Sequence, residues 1–343
     1  MSDYSFDHIL RLTDEVGMFE HADHTAPRRE HGYCTDDMAR LLIVIAREPA
    51  PTRAVRDLGH TALGFLTDAQ GTDGRIRNRR TATGRWKGER TVEDCWGRSL
   101  WAFGTAVRHD PHERMRQIAL MHFERGAERR SPWRRSMAFG ALGAAEVLAA
   151  QPGHDAARLL LSDAADAVGP LASDPRWPWP ETRLSYANAV LPEVLLASGH
   201  LLERPGLVAD GLVLLAWLLE RETLDGHLSP TPVGGSGPGD RAPAFDQQPI
   251  EIAAMADACH RAFAMTGDNT WRAGIEMAAK WFEGQNDAGA VMWDHASSGG
   301  YDGLHAHRCN LNQGAESTMA LVSTLQHVSR LDRCTPAVAT LGP

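Results

Sequence analysis

The chain has 343 residues, 43% of them hydrophobic and 23% charged, so it carries enough apolar material for a large core. Its 35 Lys and Arg against 44 Asp and Glu leave a net charge of −9, which disfavours nucleic acid or any other polyanion as a partner. No apolar run approaches the ~18 residues of a membrane span. The five cysteines (Cys34, Cys95, Cys259, Cys309 and Cys334) are odd in number, widely spaced and free of any CxxC pair, which argues against a disulfide framework or a zinc knuckle. The start, Met1-Ser2-Asp3-Tyr4, has neither the basic opening nor the apolar run of a secretory leader. The expectation is a reduced, cytoplasmic protein.

Strand patterns are scarce and helical periodicity is frequent. Six segments share one layout, a polar and aromatic loop followed by a helix of small and apolar residues. They begin at His31, Thr91, Ser131, Trp177, Phe245 and Asn310. Between them lie amphipathic helices near residues 6–17, 52–68, 112–127, 155–168, 206–221 and 269–283. A helix that is apolar all round is touched on all sides, and one with a single apolar stripe keeps a wet face. Six of each therefore predict an inner and an outer ring, an all-α (α/α)6 toroid over residues 1–343 in one domain. The irregular repeat length excludes a stacked solenoid.

Helix starts are read from caps and the dipole. Asp36, Asp94 and Ser136 suit N-cap positions, Pro249 suits a first turn, and Glu316 suits the positive end of a helix. Asp73-Gly74, Asp225-Gly226 and the segment from Asp287 read as turns of short hairpins. Long connections at Thr231 to Ala244 and Ser297 to Leu304, the latter containing Asp302, join them on one rim, where functional loops concentrate. The tail from about Asp332 reads as loose.

If every inner helix starts at one end, six loops converge on one cleft. They bring the carboxylates of Asp36, Asp37, Glu93, Asp94, Glu181, Asp246, Glu251 and Glu316. Around these come His31, Tyr33, Arg40, Arg98, Arg135, Tyr186, Asn188, Gln247, Gln248, Asn310, Asn312 and Gln313. Trp96, Trp133, Trp177, Trp179 and Trp293 offer flat faces. Aromatic plates beside acids, amides and arginines suit a carbohydrate. Two carboxylates with separated pKa values can cleave a glycosidic bond, one as acid and one as base or nucleophile. Asp37 and Asp94 open neighbouring inner helices and are the first candidates for that pair, with Glu251 and Glu316 next. No phosphate-binding glycine loop stands in a suitable context, and nothing calls for a metal or an organic cofactor.

Blander readings apply to the same residues. Asp36 and Asp94 serve equally as caps, and Glu93, Glu181 and Glu316 as structural partners of Arg98, Arg183 and Arg135. Trp101 and Trp217 fall inside helices and read as core. His31, His227, His305 and His307 show no metal-site spacing. Three rival functions remain open. The first is a sugar epimerase or isomerase using His31, His227 or His305. The second is a polysaccharide lyase using Tyr33 or Tyr186 with Arg98 and Arg135. The third is a toroid that binds sugar without catalysis.

Five ordered motifs cover nearly the whole chain. They are His31 to Arg40 (HGYCTDDMAR), Glu93 to Arg98 (EDCWGR), Trp177 to Glu181 (WPWPE), Phe245 to Glu251 (FDQQPIE) and Asn310 to Ser317 (NLNQGAES). Together they resemble a bacterial family found alone or fused behind family-four glycosyltransferases, and often called glycosyltransferases for that reason. The chain differs from the family pattern at Met38 and Pro180. The resemblance implies a glycosidase-type toroid acting on a short oligosaccharide, mannosides included. It brings no assigned catalytic pair, and the chain lacks the nucleotide-binding half that a glycosyltransferase needs.

Overall fold

The computed structural model describes residues 4–334. Six helices form an inner ring: α2 (Thr35–Ala46), α4 (Asp94–His109), α6 (Arg134–Ala150), α8 (Val190–Leu201), α10 (Pro249–Thr266) and α12 (Ala315–Cys334). Each packs on the next, and α12 closes the ring on α2. The outer ring is α1 (Asp7–Arg11), α3 (Arg53–Ala69), α5 (Glu113–Ala127), α7 (Asp155–Val168), α9 (Pro205–Arg221) and α11 (Asn269–Phe282). This is the (α/α)6 toroid, with short antiparallel hairpins on its rim.

Burial follows the two sequence patterns. Helix α6 buries every side from Arg135 to Leu148, because neighbours lie on both flanks and an outer helix lies behind. Helix α3 buries only Val55, Leu58, Gly59, Ala62, Leu63, Phe65, Leu66 and Ala69, a stripe at i, i+3 and i+4 spacing. The tightest approach is between α4 and α6. A methyl group added at Gly104 would run into the carbonyl oxygen of Gly143, and one at Gly143 into that of Leu100.

The first amphipathic segment is shorter than its periodicity predicts. Helix α1 stops at Arg11, because the Asp14 carboxylate accepts the N–H groups of Val16 (2.9 Å) and Gly17 (3.2 Å) and folds the chain into a turn. The cap positions also differ. Cys34, Glu93 and Trp133 occupy the N-cap positions of α2, α4 and α6 without side-chain capping bonds, so Asp36, Asp94 and Ser136 fall inside the first turns. There they are free of capping, and the positive helix end still suits the two carboxylates. Pro249 takes the expected first-turn place in α10. Asp225 and Gly226, with φ of 48° and 84°, make the tight turn between β6 (Thr223–Leu224) and β7 (His227–Leu228). The segment from Asp287 forms a loop, and the nearby hairpin pairs Trp293–Asp294 with Gly299–Gly300.

Among the described residues no helix is long and apolar enough to cross a membrane. Cys34, Cys95, Cys259 and Cys309 are free thiols. Cys334 and the tail expectation lie outside the described side chains.

Candidate functional site

All six inner helices start on one rim, and a cleft of about 680 Å³ opens among their first turns. That volume is in the range of small-molecule sites. Of the residues singled out from the sequence, Asp36, Asp37, Arg40, Asp94, Arg98, Tyr186, Gln248, Asp302, Asn310, Asn312, Glu316 and His31 line it. Glu20, His21, Arg28 and Arg79 line it too, and sequence reasoning missed them. They enter through non-local pairing. The hairpin Ala22–Asp23/Ala26–Pro27 carries the first three beside the cleft, and Arg79 comes from a strand paired with Tyr33–Cys34. No motif marks such contacts.

The floor is built by helical spacing. Asp36 and Arg40 share one face of α2, four residues apart, and Asp94 and Arg98 share one face of α4. Arg40 reaches Asp37 Oδ1 at 2.7 Å with one Nη and Glu316 Oε2 at 2.5 Å with the other, tying α2 to α12. Asp94 accepts two hydroxyl hydrogen bonds, from Ser136 Oγ (2.6 Å) and Tyr186 Oη (2.7 Å). Asp302 accepts from Ser317 Oγ (2.5 Å) and the Gly314 N–H (2.7 Å). Arg98 lies over the Phe139 ring, 3.9 Å from its centroid.

Burial sets the protonation of this floor. Asp37 is only 3% exposed, and desolvation pushes its carboxyl up to about 7 against the pull of Arg40, with the charges of Glu316, Glu20 and Asp36 adding to the rise. Asp302 is also raised by burial. Tyr33 and Tyr186 move well above the usual phenol value, first through burial and also through the carboxylates of Asp14 and Asp94 that accept their hydroxyls.

Several candidates stand behind the cleft rather than on it. Glu251 is buried on α10 and accepts the N–H groups of Ala187 (2.6 Å) and Asn188 (3.3 Å). Ala187 carries a φ of 45°, a left-handed conformation that costs a non-glycine residue roughly 1 kcal/mol or more. Arg135 clamps the same loop. Its guanidinium donates to the Tyr186 carbonyl (2.7 Å), to both oxygens of Glu181 (2.7 and 2.6 Å) and to Asn188 Oδ1 (3.0 Å). Glu181, Asn188 and Glu251 thus hold the segment that presents Tyr186 to Asp94.

Tyr33 is buried, stacked on Phe19 with its hydroxyl donating to Asp14 at 2.8 Å. Glu93 is exposed at the N-cap position of α4, and its side chain makes no capping hydrogen bond. Gln247 is buried and donates to Asp287, and Asp246 pairs with His305 at 2.5 Å away from the lining. The aromatic plates are not in the cleft. Trp96, Trp177, Trp179 and Trp293 are core, while Trp133 is 60% exposed outside it. Their indoles found apolar neighbours, as where Trp179 stacks on Trp217, leaving Tyr186 as the aromatic on the wall. The expected pairing of Glu181 with Arg183 is replaced by Arg135 and Arg134, and Glu316 pairs with Arg40. His227 donates to or accepts from Asp287 (2.9 Å), away from the cleft.

One group could present ligands to a cation. Atoms of Glu20, Cys34 and Asp37 lie within 4.8 Å of one another. Arg79 already pairs with Glu20 and Arg40 with Asp37, and burial pushes the Cys34 thiol up, so guanidinium groups fill the places a metal would take.

No family model matches the chain, and no curated protein does. Solved structures do resemble it. A cellobiose 2-epimerase from Spirochaeta thermophila superposes with a TM-score of 0.70 at 11% identity, over 96% of this chain and 95% of that one. A sugar epimerase from a ruminal bacterium gives 0.69 at 10% identity, over 95% of each chain. A GH76 α-mannanase from Bacteroides thetaiotaomicron gives 0.60 at 9% identity, over 88% of this chain and 87% of that one. At such identities the likeness is one of fold, the (α/α)6 toroid that these sugar-processing enzymes share with this chain.

Proposed function

We propose that the protein is a carbohydrate-active enzyme that cleaves a glycosidic bond in a short oligosaccharide. The observation that carries this reading is Asp37, a buried carboxyl held near neutrality in a cleft it shares with Asp94 and Glu316. A general acid for glycoside cleavage must keep its proton near neutral pH, while a second carboxylate acts as base or nucleophile. Asp37 takes the first role. Asp94, oriented by Ser136 and Tyr186, takes the second. Glu316, bridged to Asp37 through Arg40, orients the acid.

The lyase alternative is weakened by the tyrosines. A lyase base needs a phenol that ionises readily, and both candidates are shifted the other way. A sugar epimerase keeps specific support. His21 and His31 line the cleft with ring centroids 5.0 Å apart, and two of the superposed structures are epimerases.

The test is incubation with mannose-, glucose- and arabinose-containing oligosaccharides, with products followed by NMR beside Asp37→Asn and Asp94→Asn. A reducing sugar released by the wild type and not by the variants supports hydrolysis. An altered sugar with no bond cleaved, lost on His21→Ala or His31→Ala, replaces it with the epimerase. Saturable binding without any product leaves a binding protein.

A further inference from the structure

Arg98 is a buried cation whose partner is too far away. Its side chain is 6% exposed, and its nearest anionic atom is Asp36 Oδ1, 3.7 Å from Nε, beyond hydrogen-bonding distance. Among the described residues no other acceptor meets its guanidinium, whose face rests on Phe139. Asp36 Oδ1 is likewise buried without a hydrogen-bond partner. A largely buried guanidinium and a buried carboxylate oxygen, neither of them hydrogen-bonded, thus stand 3.7 Å apart on neighbouring inner helices, and both residues line the cleft. Burial of such groups is costly unless a ligand or water satisfies them.

The pair favours one kind of ligand. A hydroxyl donates and accepts at once, so a sugar O–H can give its proton to Asp36 and take a hydrogen bond from Arg98. An adjacent hydroxyl can use the second arm of the guanidinium fork. A carboxylate or phosphate also suits Arg98 alone, but here it would enter beside Asp36, and six carboxylates of the lining outnumber its four arginines. Like charges at that distance repel.

We propose that Asp36 and Arg98 form a grip for a vicinal diol, so the cleft selects a neutral sugar ring and rejects uronates and sugar phosphates. This rests on the reading of the cleft as a sugar site, and it assigns these two residues to ring recognition rather than to bond cleavage.

The experiment is an NMR titration of methyl α-mannoside and methyl β-glucoside, their 2-, 3- and 4-deoxy analogues, glucuronate and glucose 6-phosphate. Wild type, Asp36→Asn and Arg98→Met are compared after thermal unfolding confirms that each is folded. Asp36→Asn keeps the shape of the side chain, so it serves if Arg98→Met does not fold. In the wild type, loss of the gripped hydroxyl weakens binding about tenfold or more, the range for a charge-assisted hydrogen bond. In either variant that difference between parent and deoxy sugar shrinks to within about twofold. Tighter binding of glucuronate or glucose 6-phosphate than of the neutral parents overturns the proposal, as does a deoxy profile unchanged in the variants or no saturable binding of any neutral sugar. Oligosaccharide turnover on the same samples separates the two readings. Cleavage with an unchanged deoxy profile defeats the grip alone, and a clear deoxy signature without any product defeats the hydrolase alone.

Discussion

Replacing Glu251 with glutamine separates a structural carboxylate from a catalytic one. The side chain is 6% exposed, and burial pushes it from 4.5 up to about 8, with the nearby Glu222 charge adding to the rise. Its folded pKa lies above its unfolded value. Folding therefore takes up a proton between those two values, and Glu251 costs progressively more stability as pH rises through that window. One pKa unit corresponds to about 1.4 kcal/mol, so between pH 5 and 7.5 the added cost is about 3 kcal/mol. Glutamine cannot ionise and loses that slope. Its oxygen still accepts the Ala187 N–H, but its amide would face the Asn188 N–H, a loss of about 1 kcal/mol at every pH. Urea unfolding of wild type and Glu251→Gln should give curves that cross near pH 5, the variant weaker below that and stronger by about 3 kcal/mol at pH 7.5. Turnover on the preferred sugar should stay within several-fold. Parallel stability curves, or a loss of activity on the scale of a missing catalytic acid, would refute the reasoning.

Further expectations concern the cleft. Asp37→Asn should lower turnover at least about 100-fold with the fold kept, and the wild-type rate should fall above about pH 7 as Asp37 loses its proton, read from a pH–rate profile. Tyr186→Phe removes a donor from Asp94 and should lower kcat about tenfold while leaving the melting temperature nearly unchanged. Gly104→Ala or Gly143→Ala should cost about 2 kcal/mol or more of stability in urea unfolding, because the new methyl meets a backbone carbonyl across the helix pair.

The ring was legible because its two helix classes leave different periodicities. The run through α6 has no wet face, and α3 has one, so each announces its layer. The cleft was legible where its residues sit in the first two turns of inner helices, as for Asp37, Asp94, Arg98 and Glu316, since helix geometry aims them. It was opaque where the partner is backbone or distant in sequence. Nothing near Glu251 signals that Ala187 and Asn188, more than sixty residues earlier, need its oxygens. An indole in a polar loop gives no sign of its direction, and Trp177 and Trp179 turned into the core. Glu20 and Arg79 meet only because two hairpins abut the first inner helix.

The glycine contact between α4 and α6 also works as a length standard. Backbone touches backbone there, so the separation of the two helices does not depend on any side chain's rotamer. Asp94 and Ser136 stand on the first turns of those same helices, and their 2.6 Å hydrogen bond inherits that fixed spacing. Drift in the surrounding core would leave this calibration intact, whereas one methyl at the contact would lever the helices apart and be read out some turns away, at the acid on the rim.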